Sequence, residues 1–472
     1  MRIAIVGTGI AGHGAALAIS QASGHHEIVV YERDARAGGH SATVDVDYDG
    51  VKIPVDTGFI VYNEKNYPNL TAMFAYLGVA TQASDMSFSV SADRGRFEWC
   101  GRDGAGVIGG LFAQKSNLLS VPFLRMLLEI RRFQERALSD SRNGTVGEGS
   151  LGDYLARNGF SDRLRDDYLV PMGAAIWSTS PRKMLEFPAT SFIDFFDNHC
   201  LLQWDRPQWR TVTGGSRSYV EKLGSLLGAS LRIGVGVRSI VRDADGVDVH
   251  DDRGGCERFD HVVLAAHAPE SLALLSDASV GERNILSACG YSANDVWLHR
   301  DVSLMPKRRA AWASWNFLRE GHDGDRRVAV SYWMNRLQSI DESKPLFVTL
   351  NPPFEPRPEL TFGRFSYDHP QFDGPALAAR QRLDEIQGVR RTWFCGAWTR
   401  HGFHEDGLAS GLRVAARLGC AAPWAASISR TDLPLETFSS HDALSSGVQD
   451  GGRRSLQPSA AGRKAVEEVI AP

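Results

Sequence analysis

Cysteine is scarce and scattered in this chain. The six stand at positions 100, 200, 256, 289, 395 and 420 with no Cys-x-x-Cys pair. That spacing argues against a disulfide framework and a zinc site, and it fits a reducing compartment. Long apolar runs are missing too: none approaches the roughly 18 residues of a membrane-spanning helix. Neither sign of charge dominates. Lys and Arg number 52 and Asp and Glu 56, a net charge of −4, which speaks against broad nucleic-acid binding. An apolar run begins at Ile3, so no signal peptide is expected. A cytoplasmic protein is expected, with peripheral contact at the inner face of the membrane left open. At 472 residues, two domains are expected.

What is present begins at the first residue. Ile3 to Val6 read as a buried strand. The turn Gly7-x-Gly9-x-x-Gly12 follows, then small residues of helical character from Ala11 to Ala22. Gly7 permits the tight turn, Gly9 lets a pyrophosphate approach the backbone, and Gly12 lets helix and strand pack closely. The helix N-terminus then offers free N–H groups and a positive dipole end to phosphate, with Ile10 and Ala11 in its first turn. A second strand, Glu27 to Glu32, ends in a carboxylate twenty residues after Gly12, suited to accept from both hydroxyls of an adenosine ribose. An ordinary βα turn would not need both flanking features.

After Glu32 and Arg33 come Arg36, the pair Gly38-Gly39, then His40 and Ser41. The block from Gly7 to Thr43 resembles the N-terminal half of the flavin amine oxidase superfamily, which includes amine oxidases, protoporphyrinogen oxidase and phytoene-type desaturases. The resemblance implies an α/β fold: an FAD/NAD(P)-binding Rossmann-like domain of the glutathione-reductase type, amine-oxidase subgroup, with a discontinuous α+β substrate domain. It implies FAD as cofactor, because NAD-dependent dehydrogenases share only the first glycine turn. Arg33, Gly38, Gly39, His40 and Ser41 are then placed near the pyrophosphate, although His40 stands where the family usually has Arg. By the same resemblance, Thr57, Gly58 and Phe59 pass near the flavin ring after Asp56, and a strand ending at Val237 lays a backbone amide against the adenine.

The segment Trp393 to Ala416 carries a second match to the superfamily. Its Gly396, Thr399, Gly402, Phe403, Glu405, Ser410 and Gly411 coincide with the C-terminal FAD segment, whereas Ala397 departs from the usual Glu. Ala397, Gly407 and Leu408 join the expected cofactor contacts. Phe403 stands where amine oxidases often place a cage tyrosine. His404, Glu405 and Asp406 are the acid–base candidates, His404 first, with Glu405 as a buried structural acceptor and Asp406 as an N-cap the plainer readings. Lys307 is the nearest candidate by order for the lysine that amine oxidases use, and a solvated charge is its plainer reading. No metal site is expected.

Between the motifs, Tyr67 to Leu77 reads as a helix stopped by Gly78, and residues 87–99 as a hairpin. Leu118 to Leu128 is strongly apolar yet holds Pro122 and Arg125, with Arg131, Arg132 and Arg136 beyond it. It fits either a helix of the substrate domain or a membrane-facing entrance for a lipid. Ser139 to Gly149 reads as a loop, Leu151 to Leu169 as helix, Leu231 to Val237 and Asp260 to Ala266 as strands. The aromatic-rich span from Tyr291 to Phe365 reads as an antiparallel sheet over an apolar pocket. The FAD domain is expected at 1–80, 210–270 and 385–424, the substrate domain at 81–209 and 271–384, and a disordered tail at 427–472. The stretch Asn63 to Leu70 together with His401 to Gly407 is similar to a bacterial NAD/FAD-binding subgroup associated with cyclopropane fatty acid synthesis. That resemblance implies a hydrophobic substrate such as a phospholipid acyl chain, attacked by a desaturase or oxidase. The alternatives are a flavin amine oxidase, a flavin-dependent isomerase without net redox, and an NAD-binding regulatory module.

Overall fold

A computed structural model describes residues 1–101, 107–203, 207–319 and 329–425; the expected tail lies outside them. Arg2–Val6 is the central strand of a five-stranded parallel sheet ordered Leu231–Ile233, Glu27–Glu32, Arg2–Val6, His261–Leu264, Thr392–Phe394. Ile5 lies opposite Val30 on one side and Val263 on the other. These strands are apolar at nearly every position because both faces are covered. Ile3, Ile5, Val30 and Val263 face two helices, Ile10–Ser20 and His404–Arg417. Ala4, Val6, Tyr31 and Leu264 face the other way, onto a small antiparallel meander. The two helices pack almost backbone to backbone: a Cβ on Gly411 would lie 2.1 Å from the carbonyl oxygen of Ala11.

The expected strand from Leu231 to Val237 is two pieces. Leu231–Ile233 joins the parallel sheet. The chain then turns at Gly234, whose φ is +69°, and Val237 opens the meander Val237–Arg242, Val247–Asp251, Cys256–Phe259. Val237 therefore begins a strand rather than ending one. Arg242 inserts its buried guanidinium between Glu282 and Asp277, tying the helix Val280–Ser287 to this meander.

The aromatic-rich region forms a seven-stranded sheet in the order Thr361–Pro370, Tyr291–His299, Phe347–Leu350, Ala329–Trp333, Trp315–Arg319, Phe88–Ala92, Phe97–Gly101. The hairpin read near residue 90 thus extends this sheet, through a parallel pairing of Trp315 with Phe88. Helices pack beside it. Pro68–Leu77 ends on Gly78 at φ +62° as expected. Val121–Asn143 carries Pro122 in its first turn and Ser120 as N-cap, and it runs through the first residues of the expected loop to Gly144. Leu151 to Leu169 is not one helix, because Gly159, at φ +63°, breaks it after Leu151–Arg157. Among the described residues no helix is long and apolar enough to cross a membrane.

Candidate active site

At the end of the central strand the chain turns with the N–H of Gly7 donating to the Tyr31 carbonyl at 2.8 Å. A Cβ on Gly12 would lie 2.0 Å from the carbonyl oxygen of Gly7, so only glycine lets the helix start this close to the strand. Gly9 is different. It is the N-cap of Ile10–Ser20, and nothing lies within 4 Å of where its Cβ would be. The second glycine pair folds over this spot, with a Cβ on Gly39 reaching within 3.3 Å of the Gly9 Cα. Two backbones stripped of side chains thus face each other at a helix N-terminus, a cradle that fits the pyrophosphate of FAD.

The cradle is braced from behind. Glu32 is buried, and its Oε2 accepts from the N–H of Thr8 at 3.1 Å and from the Thr8 hydroxyl, while its Oε1 accepts from the N–H of Asp34 at 2.9 Å. Thr8 in turn accepts the N–H of Gly38 at 3.1 Å. Arg36 grips the carbonyls of Gly39 and Ser41 at 2.8 and 3.3 Å. Arg33 is exposed and pairs with Glu270 at 2.9 Å. Val235 lies against Glu32 through an N–H to main-chain carbonyl bond of 2.8 Å, which places the segment leading to Val237 beside the end of that strand.

The stretch after the second glycine pair is zipped to residues 57–59. The N–H of Phe59 donates to the His40 carbonyl, and that of Thr57 to Ala42, both at 2.8 Å. A Cβ on Gly58 would lie 2.1 Å from the His40 oxygen. Thr57 shares a hydroxyl bond of 2.7 Å with Tyr367. Asp56 is buried beneath, bound by Thr43, Ser216 and Gln338, and burial pushes its carboxyl up to about 6. Its role in this structure is to pin the start of the helix Arg217–Leu227.

The C-terminal motif closes the other side. Gly396 lies under the indole of Trp398 at φ +150° and is held through the Ser410 hydroxyl at 2.8 Å. Gly407 has no room for a side chain: its Cβ would be 2.8 Å from Ile10 and 3.6 Å from the Ala397 nitrogen. Leu408 is fully buried against Gly14, so only its backbone is available to a cofactor. Asp406 accepts from the Phe403 N–H at 2.9 Å and caps the helix His404–Arg417, and burial raises its pKa. Both oxygens of Glu405 are engaged: Oε1 accepts from the Asn69 backbone at 3.0 Å and its side chain at 2.7 Å, and Oε2 from Leu70 at 3.0 Å. Glu405 therefore joins the two segments, Asn63 to Leu70 and His401 to Gly407, that stood out in the sequence.

His404 stacks on Phe59 with ring centroids 3.8 Å apart, and its Nε2 lies 2.7 Å from the Tyr219 hydroxyl and 3.3 Å from that of Ser41. Burial pushes its pKa down to about 3. Removing the bridging hydroxyl with Tyr219→Phe is expected to cost about 1 kcal/mol and leave FAD content unchanged, read by thermal denaturation and flavin absorbance.

A second group of imidazoles was not foreseen. His40, His267 and His369 surround one spot, with His40 ring centroids 6.3 Å from His267, 5.8 Å from His369 and 5.3 Å from Tyr367. Burial holds His40 at about 3 and His369 at about 4, so both rings are neutral near pH 7. His369 Nδ1 lies 2.9 Å from the Ser178 hydroxyl. Phe365, Tyr367 and His369 alternate along Thr361–Pro370; that period of two was the available signal, in a strand not recognised from sequence.

Phe403 is partly covered and stacks on Phe195 at 5.0 Å, with His199 5.1 Å away and Trp177 behind Phe195 at 4.7 Å. Burial pushes His199 down to about 4. Lys307 lies elsewhere, exposed at the hairpin turn, with its backbone N–H on Glu98 at 2.6 Å and its side chain over Gly95.

The sequence matches the family described as flavin containing amine oxidoreductase over residues 10–300. No curated protein matches it. Solved structures share the fold. One is a CLA-producing fatty acid isomerase from P. acnes, at TM-score 0.62 and 16% identity over 88% of this chain and 98% of that one. Cyclohexylamine oxidase from Brevibacterium oxydans IH-35A aligns at TM-score 0.62 and 16% identity over the same shares, 88% and 98%. A putrescine oxidase bound to putrescine aligns at 0.62 and 15% over 89% and 99%.

Proposed function

The chain belongs to the flavin-containing amine oxidoreductase family, and we propose that within it this FAD-dependent oxidoreductase acts on the hydrocarbon part of a hydrophobic substrate, an acyl lipid, as a desaturase or oxidase. Bound FAD supplies the hydride-accepting ring. The carrying observation is the character of the wall around Phe403. It is built of Phe195, Trp177 and neutral His199, while the two neighbouring carboxylates, Glu405 and Asp406, are held by backbone N–H groups. An ammonium would find neither carboxylate available there, and Lys307 is exposed elsewhere. An alkyl chain needs only apolar contact and exclusion of water.

Desaturation removes one hydrogen as hydride and its neighbour as a proton. Neutral His369 is assigned that second step: in the tautomer whose Nδ1–H donates to the Ser178 hydroxyl oxygen, Nε2 is the free acceptor that takes the proton as the carbon–carbon double bond forms. The N-terminus of His404–Arg417 favours negative charge beside it. The test is anaerobic flavin absorbance during addition of bacterial phospholipid and then of simple amines. Bleaching by lipid is expected. Bleaching by amine alone would replace this reading with an amine oxidase, and an isomerised lipid recovered without bleaching would replace it with a redox-neutral enzyme.

A further inference from the structure

Apolar exposure on this protein is not evenly spread. Among the described residues fifteen large apolar side chains are exposed, and six of them, Ile108, Leu118, Leu119, Val121, Leu124 and Leu128, fall within one short segment. Leu119 is 89% exposed, Leu128 75% and Val121 74%. Ile108 sits on the short helix Val107–Leu111, Leu118 and Leu119 on the turn Lys115–Leu119, and the other three on the first two turns of the helix Val121–Asn143, whose opposite side buries Phe123, Met126 and Phe133. The helix is thus anchored by one face and offers leucines from the other. Scattered exposed leucines need no explanation, but a cluster of this kind does.

The charge beside it is net basic. From Val107 to Leu128 the sequence holds two cations, Lys115 and Arg125, and no carboxylate. Farther along the same helix Arg131 pairs with Glu135 and Arg136 with Asp140, both at 2.8 Å, Arg132 is exposed, and a groove of about 590 Å³ is walled by Arg132, Arg136 and Arg157 against Glu135; from Val107 to Asn143 six cations stand against three carboxylates. Val121 to Leu128 spans about 10 Å of helix axis, comparable to the 5–10 Å that interfacial helices sink into the boundary of headgroups and acyl chains. An apolar tip followed by a net-basic stretch matches the layering of acyl chains and phosphates.

We propose that Lys115–Leu119 and the N-terminal half of Val121–Asn143 dock this protein on an anionic lipid surface. The choice of a lipid rests on the acyl reading of the active site; the exposed face itself does not. Docking there brings the enzyme to the phase in which long acyl chains reside.

The test is sedimentation of the full chain with FAD bound, using vesicles of phosphatidylglycerol and phosphatidylethanolamine, and vesicles of phosphatidylcholine alone. The chain is expected to bind the anionic vesicles more tightly, and less so at high salt. Leu119→Asp with Leu128→Asp should weaken binding about tenfold or more, because charge replaces two inserted side chains. Both side chains are exposed, so the melting temperature should not move. Leu226→Asp, at an exposed leucine outside the segment, should leave binding as it is. Failure of the unaltered chain to bind either vesicle, undiminished binding by the double variant, or a dimer that the double variant dissolves would each overturn the proposal. Flavin bleaching by detergent-dispersed phospholipid is read on the same samples. Bleaching without vesicle binding sinks only the docking, and vesicle binding without bleaching sinks only the acyl reading.

Discussion

Gly9→Leu is expected to yield a folded protein that contains no flavin. The side chain would project into space that is open in this chain, with nothing within 4 Å of the Cβ position. The backbone there, φ −60° and ψ 173°, is one any residue adopts. Folding should therefore be little affected. That same space, at the N-terminus of Ile10–Ser20 and facing the Gly39 turn, is where the pyrophosphate belongs, and a leucine would exclude it. Gly12→Leu is the contrasting variant. Its Cβ would overlap the Gly7 carbonyl at 2.0 Å, so strand and helix must separate, and the chain should lose fold and cofactor together. Absorbance of bound flavin against circular dichroism separates the cases. A yellow Gly9→Leu protein would mean that the cradle lies elsewhere.

The parts of this site that were legible in the sequence are the ones whose physics is local. A glycine turn between a strand and a helix declares itself by spacing, and so do the strand ending at Glu32 and the helix from Pro68 to Gly78. The histidines of the site are a different matter. His404 could be named because it sits in a dense motif, yet its hydroxyl partners Tyr219 and Ser41 are 185 and 363 residues distant in the chain. His369 and His267 reach His40 only through the fold, and nothing near them in sequence marks them as a group. Where the reading went astray, a single backbone choice was responsible. Gly234 split the strand expected from Leu231 to Val237, Gly159 split the expected helix, and strong propensity carried Val121–Asn143 into an expected loop. The apolar stretch near Leu124 was visible as composition; only the fold could tell which of its leucines remain outside.

Glu405 carries the other large effect, and its two replacements separate a structural from a catalytic part. Glu405→Ala would leave the N–H groups of Asn69 and Leu70 buried without acceptors at the start of the helix Pro68–Leu77, at about 1–3 kcal/mol for each lost bond. The helix would then lose its tie to His404–Arg417, and both the melting temperature and the retained FAD should fall. Glu405→Gln keeps the shape and can still accept from Asn69, but its amide nitrogen meets the Leu70 N–H donor to donor, so a smaller loss is expected. The pH dependence has a definite sign. Burial pushes the Glu405 carboxyl up to about 7, above its ordinary value near 4.5, so the folded state binds this proton more tightly than the unfolded chain. Its contribution to stability is therefore greatest at low pH, declines as pH rises from about 4.5 to about 7, and is flat beyond. Asp56, raised to about 6 by burial, slopes the same way and remains in the variant. The stability difference between the unaltered chain and Glu405→Gln should accordingly shrink as pH rises from 5 towards about 7, while turnover per bound flavin stays equal. Equal thermal stability at every pH would show that Glu405 does not hold the two segments together. Loss of turnover in a stable, fully flavinated Glu405→Gln protein would restore it as a proton-transfer residue.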